Sequence, residues 1–122
     1  MAIRQSDAPQ FRTPLAPFCP RYHAAVELLG RRWTGAVVRS LLAGRHRFGE
    51  MRADVSGISD RLLSERLREL ETEGIIERRI VAGRPVRNEY YLTTKGESLG
   101  DVVRAISSWA EEWTPPGPTE SP

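Results

Sequence analysis

The chain has 122 residues, with 39% hydrophobic and 28% charged residues, which suits a single globular domain with one core. A single cysteine excludes an internal disulfide and a multi-cysteine metal site, and the two histidines stand far apart. The sequence contains no P-loop and no nucleophile-plus-base motif, so we expect no catalytic residue, metal or cofactor.

The absence of a membrane-length apolar run and of a signal-peptide core predicts a cytoplasmic protein without a membrane partner. The formal net charge is only +2, but the charge is unevenly distributed. From Arg31 to Arg52 six arginines face one acid, a net of +5, whereas from Gly96 to Pro122 five acids face one arginine, a net of −4. A basic stretch in a near-neutral domain is typical of nucleic-acid binding. Codon usage in a GC-rich genome would also enrich arginine.

The first two helices follow a proline-rich N-terminal segment, residues 1–18, that we predict to be a flexible arm. Pro20 suits a first helical turn, and the spacing of Tyr22, Val26 and Leu29 predicts a helix that ends at Gly30. A second helix is predicted from Thr34 to Ala43, preceded by Trp33 as a core anchor. A short edge strand over 45–48 and a third helix over 49–55 follow.

The next helix, Ser59 to Glu73, has a clear start and a clear stop. Ser59 is a good N-cap, and Gly74 suits the left-handed position after the last turn. At about 100° per residue the leucines share one side, and the other side is polar. The leucines are Leu62, Leu63, Leu67 and Leu70; the polar side carries Arg61, Ser64, Glu65 and Arg68. A glycine-containing turn joins this helix to the third one, which is the helix-turn-helix pattern. Arg66 lies toward the apolar side, and we expect it to form an ion pair with Glu50 or Glu89.

The C-terminal third begins with a β-hairpin. Ile75–Val81 and Val86–Thr93 are rich in strand formers, and the turn between them places Arg84 at its tip. Thr94 and Glu97 predict a capping box that opens one last helix, ending near Trp113. The apolar stripe of that helix presents more apolar surface than a small hairpin can cover. The stripe could contact a second subunit or pack back on the core. Residues 114–122 are predicted to be a disordered tail.

Several short motifs occur along the predicted elements: Cys19-Pro20, Gly30-Arg-Arg-Trp33-Thr34, Arg47-Phe48-Gly-Glu50-Met51, Gly57-Ile58-Ser59, Leu63-Ser-Glu-Arg66-Leu67, Gly74-Ile75 and Asn88-Glu89-Tyr90-Tyr91-Leu92-Thr93-Thr94-Lys-Gly96. Together they resemble the HxlR-type winged helix-turn-helix transcriptional regulators. The expected fold is α+β and mostly α: a winged helix over residues 19–113 with extra N- and C-terminal dimerisation helices. The resemblance implies a homodimer that binds a palindromic operator in double-stranded DNA. The expected interface residues are Tyr22, Val26, Val102, Ile106, Trp109 and Trp113.

The hypothesis is therefore a sequence-specific DNA-binding regulator, expected to be a repressor, whose helix after Ser59 enters the major groove. The expected DNA-binding residues are Ser59, Arg61, Ser64, Glu65, Arg68, Arg84, Arg47 and Arg52. Some members of the family sense oxidants through a cysteine before the first helix, and Cys19 matches that position. A helix N-terminus with Arg21 nearby also favours negative charge on sulfur. Cys19 could instead be a small packing residue.

Two other functions remain open. One is a small-molecule-responsive regulator of the same fold, with its ligand between the core and the dimer helices near Trp33, Tyr22 and Trp109. The other is a winged-helix module that binds protein.

Overall fold

A computed structural model describes residues 14–116. The elements in chain order are α1 (Pro20–Leu29), α2 (Thr34–Leu42), α3 (Phe48–Asp54), α4 (Asp60–Thr72), β1 (Ile76–Val81), β2 (Arg87–Leu92), α5 (Thr94–Glu97) and α6 (Gly100–Trp113). The predicted class, mostly helical with a small sheet in a winged-helix arrangement, is confirmed. The predicted arm and tail lie largely outside the described residues.

The core lies between α2, α3 and α4, and β1 closes it. Leu63, Leu67 and Leu70 of α4 are almost fully buried, as their i, i+4, i+7 spacing predicts. Their partners are Val37, Val38, Leu41, Met51, Val55, Ile58, Ile75 and Ile76. Burial of each such leucine contributes about 1.5–3 kcal/mol. The apolar side of α4 is thus held against the core, which leaves its opposite side facing outward.

The wing is the antiparallel pair β1 and β2, in register from Ile76 opposite Leu92 to Val81 opposite Arg87. The predicted edge strand before α3 is reduced to one bridge, Arg47 opposite Glu89. The Tyr90 amide donates to the His46 carbonyl at 2.8 Å beside it. The wing is therefore fastened to the start of α3 as well as to the end of α4.

The prediction of one C-terminal helix opened by a Thr94 capping box was wrong. The N-cap is Thr93, whose Oγ1 accepts from the Gly96 amide at 3.1 Å and donates to the Gly74 carbonyl at 2.6 Å. The helix is also interrupted after Glu97, and α6 begins at Gly100. A side chain at Gly96 would overlap the Ile75 carbonyl. This close approach packs α5 against the start of the hairpin, and α6 follows as a separate helix.

The two terminal helices contribute little to the core. α1 has no fully buried residue, and α6 buries only Gly100. Among the helices of residues 14–116, none has the length and apolar character that crossing a membrane requires.

Candidate nucleic-acid interface

The exposed side of α4 is set by the cap before it and the leucines beneath it. Ser59 Oγ accepts from the Leu62 amide at 3.1 Å, as an N-cap serine does. Gly57, in the turn before it, has a φ of +96°, which glycine adopts without strain. Arg61, Ser64 and Arg68 are exposed along the outer side of the helix, and Glu65 lies at its edge, half-buried. The polar side predicted from the sequence is therefore the side that faces solvent.

The arginines near this face differ in whether an acid accompanies them. Arg61, Arg68 and Arg84 are exposed and form no ion pair with any acidic residue between 14 and 116. Arg47 Nε, in contrast, lies 3.6 Å from Glu89, and Arg52 Nε lies 2.5 Å from Asp60. Of these five arginines, those without an acidic partner therefore lie on α4 and at the tip of the wing.

Arg21, Arg32 and Arg39 likewise lack an acidic partner within the described residues. They belong to α1, the α1–α2 turn and α2, respectively.

A cleft separates α4 from the wing. Its volume is about 830 Å³. Ser64 lines the cleft from α4, and Arg87 and Asn88 line it from β2. Asn88 was not predicted as a site residue. No local pattern marks it, because exposure along β2 does not alternate: Arg87 and Asn88 are both exposed.

The base of the wing is held by a buried carboxylate. Glu89 is 9% exposed and accepts from the Tyr91 hydroxyl at 2.6 Å and from Arg87 Nε at 3.3 Å. The Tyr91 hydrogen bond, with smaller effects of Arg87 and Arg47, holds the pKa of Glu89 below its ordinary value. The same bond raises the pKa of Tyr91. The His46 ring stacks on Tyr91 at 4.0 Å, so this cluster fixes the wing relative to α3.

The expected partners of Arg66 were wrong. Its guanidinium bonds Glu69 at 3.0 Å and the Arg32 carbonyl at 2.8 Å. Glu89 is occupied at the wing, and Glu50 instead accepts from the Arg47 amide at 3.3 Å. Arg66 therefore links parts of the fold to one another and does not lie on the exposed side of α4, as its position on the helical wheel indicated.

Large apolar side chains are exposed on the outer sides of both α1 and α6. All six residues predicted for a dimer interface are exposed there: Tyr22, Val26, Val102, Ile106, Trp109 and Trp113. Leu99 and Val103, on the other side of the same stripe, pack against the core. Large exposed apolar patches mark interaction sites, so this surface is a candidate for covering by another chain.

Cys19 lies immediately before α1, at its N-cap, and is exposed as a free thiol. Its sulfur makes no capping hydrogen bond. The neighbouring Phe18 ring lies 5.6 Å from that of His23. The thiol is thus accessible, and no packing role of the sulfur is visible in the described part of the chain.

The ligand position suggested near Trp33, Tyr22 and Trp109 is not a pocket formed by these three side chains. Tyr22 and Trp109 are exposed, whereas Trp33 packs against the core. The cleft between the core and α6 is lined instead by residues that include Arg39, Leu42, Val103 and Ser107. Across residues 14–116, no group of three or more His, Cys, Asp or Glu side chains could hold a metal ion.

Comparison with known proteins gives a consistent result. The family model "HxlR-like helix-turn-helix" matches residues 28–118. The HTH-type transcriptional regulator YvaP of Bacillus subtilis is 47% identical over 98 residues, which is 80% of this chain and 91% of the relative. The HTH-type transcriptional regulator YodB of B. subtilis is 40% identical over 101 residues, 83% of this chain and 90% of the relative.

Solved structures agree with the sequence relatives. Reduced YodB aligns with a TM-score of 0.70 at 39% identity, covering 82% of this chain and 98% of that one. The oxidised form of the redox regulator HypR aligns with a TM-score of 0.73 at 32% identity, covering 80% of this chain and all of that one. YodB has also been solved after diamide treatment and with bound quinone.

Proposed function

Since this chain belongs to the HxlR-like helix-turn-helix family, whose relatives are transcriptional regulators, we propose that it represses transcription as a homodimer on a palindromic operator. The observation that carries the proposal is the pattern of free arginines. Arg61, Arg68 and Arg84 project from the two elements that a winged helix presents to DNA, and none is neutralised by an acid within residues 14–116.

In the proposed complex α4 lies in the major groove from its N-terminus to Arg68. Arg61 and Arg68 provide forks that match the acceptor pair of guanine, and Glu65 can accept from the amino group of cytosine. Ser59 and Ser64 can donate to phosphates or base edges. The last turn of α4 carries Glu69 and Glu71, and Glu73 is its C-cap. Phosphates would repel these acids, so the proposed DNA contact ends at Arg68.

The wing and α3 supply contacts that do not depend on sequence. Arg84 lies in the turn between the strands, where it can reach a backbone phosphate or the minor groove. Arg47 and Arg52 would exchange their carboxylate partners for phosphates. Dimerisation through α1 and α6 would place two copies of α4 about a two-fold axis, which is why the operator should be palindromic.

Gel shifts on an operator from the genomic neighbourhood of the gene test the DNA contacts. Arg61→Ala or Arg68→Ala removes one bidentate contact of about 1–3 kcal/mol from each half-site, so the dimer should bind at least about 30-fold more weakly and lose its preference at one base pair of each half-site. Arg84→Ala should weaken all sequences alike and reduce the salt slope by about two units, one for each protomer. Arg104→Ala is the matched control, because Arg104 is an exposed arginine on α6. Unchanged binding in both α4 variants would contradict the assignment of α4 to the groove.

We further propose that Cys19 makes the repressor responsive to oxidants or electrophiles. The exposed thiol and the similarity to HypR and YodB, with their redox and quinone-bound forms, support this. A quinone would add to Sγ while the thiol proton passes to the quinone oxygen. Diamide would take one hydrogen from each of two thiols, and since each chain has one cysteine, the resulting disulfide must join two chains.

Operator binding before and after diamide or a quinone separates this role from simple packing. The parent protein should lose affinity after treatment and Cys19→Ser should not. Equal loss in both proteins would eliminate Cys19 as the sensor, while leaving the DNA-binding proposal unaffected.

A further inference from the structure

The turn between α1 and α2 contacts α4 and the turn before α4 at two separate points. At the first, the Trp33 indole faces the turn before α4, where Cη2 lies 3.4 Å from the position that a Cβ on Gly57 would take. At the second, Arg66 Nε in the middle of α4 donates to the Arg32 carbonyl at 2.8 Å. The buried leucines anchor α4 in the core, and these two attachments additionally link the direction of α4 to the α1–α2 turn.

The second point is a closed network of charged groups. The Arg66 side chain is only 11% exposed, and its Nη1 lies 3.1 and 3.0 Å from the two oxygens of Glu69. Arg31 Nη1 reaches the same carboxylate at 2.9 Å. The network thus joins both a side chain and a main-chain carbonyl of the α1–α2 turn to α4. A largely buried guanidinium with several directed bonds holds its geometry far better than an exposed ion pair.

The turn itself is conformationally unusual. Trp33 has a φ of +77°, in the left-handed region that non-glycine residues rarely adopt. Such a residue costs about 1–3 kcal/mol and persists only where its surroundings over-determine it. Here the surroundings are the core, the Gly57 turn and the Arg32 guanidinium, 5.2 Å from the indole centre. The strained turn is therefore held from several sides, which suits an element that fixes one helix relative to another.

We propose that Arg66 is a positioning residue that makes the direction of α4 follow that of α1. α1 carries part of the apolar face assigned to the dimer, so this link sets the angle between each recognition helix and the two-fold axis. Arg66 Nη1 also lies 3.5 Å from Glu65 Oε1, which biases the orientation of a carboxylate assigned to base reading. The spacing of the two operator half-sites is then determined through Arg66. This inference deepens the proposed function and rests on it for the DNA readout.

The first test measures operator spacing. On palindromes whose half-sites are moved by one base pair in either direction, the parent protein should lose about tenfold or more in affinity, since half-site spacing mirrors dimer geometry. Arg66→Met keeps the apolar part of the side chain and removes its hydrogen bonds. The loss of affinity that this variant shows when the half-sites are moved should be only about two- or threefold. Arg45→Met is the matched control: it removes an arginine whose Nε lies 2.9 Å from Asp54, away from the α1–α2 turn. Uniform weakening by Arg66→Met with unchanged spacing preference would show a merely structural role and overturn the proposal.

The second test needs neither DNA nor a dimer. Spin labels are placed at Ala24 on α1 and Thr72 on α4, both exposed, in a Cys19→Ser background, and labelled protein is diluted with unlabelled protein. The distance distribution should be narrow in the parent and in Arg45→Met, and broad in Arg66→Met. Glu69→Gln, which preserves side-chain size, should also broaden the distance distribution. This variant replaces Arg66→Met in the test if Arg66→Met does not fold.

An equally narrow distribution in all variants would overturn the link between α1 and α4. Broadening in a protein that binds no operator would sustain the link and remove the proposed function, so the two failures are distinguishable.

Discussion

Trp109 provides the most direct test of the dimer, because it is a large apolar side chain that the single chain leaves uncovered. It is 64% exposed on α6. A buried tryptophan removes about 200–250 Å² from water, so about 130–160 Å² of Trp109 is available to a partner. At about 25 cal/mol per Å², covering that area contributes about 3–4 kcal/mol per protomer.

A two-fold symmetric interface contains each substitution twice, so truncating Trp109 to alanine removes about 6–8 kcal/mol of apolar contact at most. Incomplete coverage and the costs of ordering the interface reduce this, and we take about half. A loss of about 3–4 kcal/mol raises the dimer dissociation constant by about 100-fold or more. The free energy of unfolding of the monomer should change little, because the side chain is mostly outside the fold.

Sedimentation equilibrium over a range of concentrations measures this directly. The matched control is Ile80→Ala: Ile80 is 74% exposed, but it lies on β1 of the wing and not on α1 or α6. The control should dimerise as the parent does. A Trp109→Ala protein with the parent's dissociation constant, or an equal loss in Ile80→Ala, would refute the assignment of the interface to this surface.

Three further predictions concern the fold. Contacts with Arg45 hold the pKa of Asp54 below its ordinary 3.8, so their stabilisation is complete above that value and is lost as pH falls through the lowered pKa. Asp54→Asn should therefore reduce the melting temperature near neutral pH and show a shallower further decrease in acid; parallel acid profiles would contradict this. Leu67→Ala should cost about 2–5 kcal/mol in urea unfolding because it opens a cavity in the core, and a cost below about 1 kcal/mol would mean that α4 packs differently. Gly96→Ala should strongly lower the melting temperature, because a Cβ there overlaps the Ile75 carbonyl, whereas Gly49→Ala, with open space around it, should not.

The elements that sequence analysis predicted well are those with local signals at both ends. The start of α4 follows from Ser59, and its end follows from Gly74, whose φ is +77°. The cap before α5 had no such unique signal, since Thr93 and Thr94 are adjacent and either could cap a helix. Thr93 is the cap because its hydroxyl also donates to the carbonyl of a residue distant in the sequence, Gly74. A bond between residues 19 positions apart cannot be read from a local pattern.

The same reasoning explains why the partners of Arg66 were missed. Its position on the helical wheel correctly indicated that it does not face outward. Which acceptor it finds depends on how the α1–α2 turn crosses α4, and that crossing is set by core packing and by the left-handed conformation of Trp33. The predicted acceptors, Glu50 and Glu89, were plausible by charge alone, but both are used elsewhere.

The distribution of unpaired arginines in the folded protein differs from the distribution of arginines along the sequence. The basic stretch from Arg31 to Arg52 suggested a DNA footprint, yet four of its arginines are paired in the fold: Arg31 with Glu69, Arg45 with Asp54, Arg47 with Glu89 and Arg52 with Asp60. The arginines without acids on the α4 and wing side lie outside that stretch. Pairing does not remove Arg47 and Arg52 from the expected DNA contacts, because their guanidiniums are about half exposed and such pairs contribute only about 0–1 kcal/mol. In the proposed complex, exchanging a carboxylate for a phosphate would therefore cost little, and in the free protein the ion pairs hold both side chains beside the proposed DNA-binding surface.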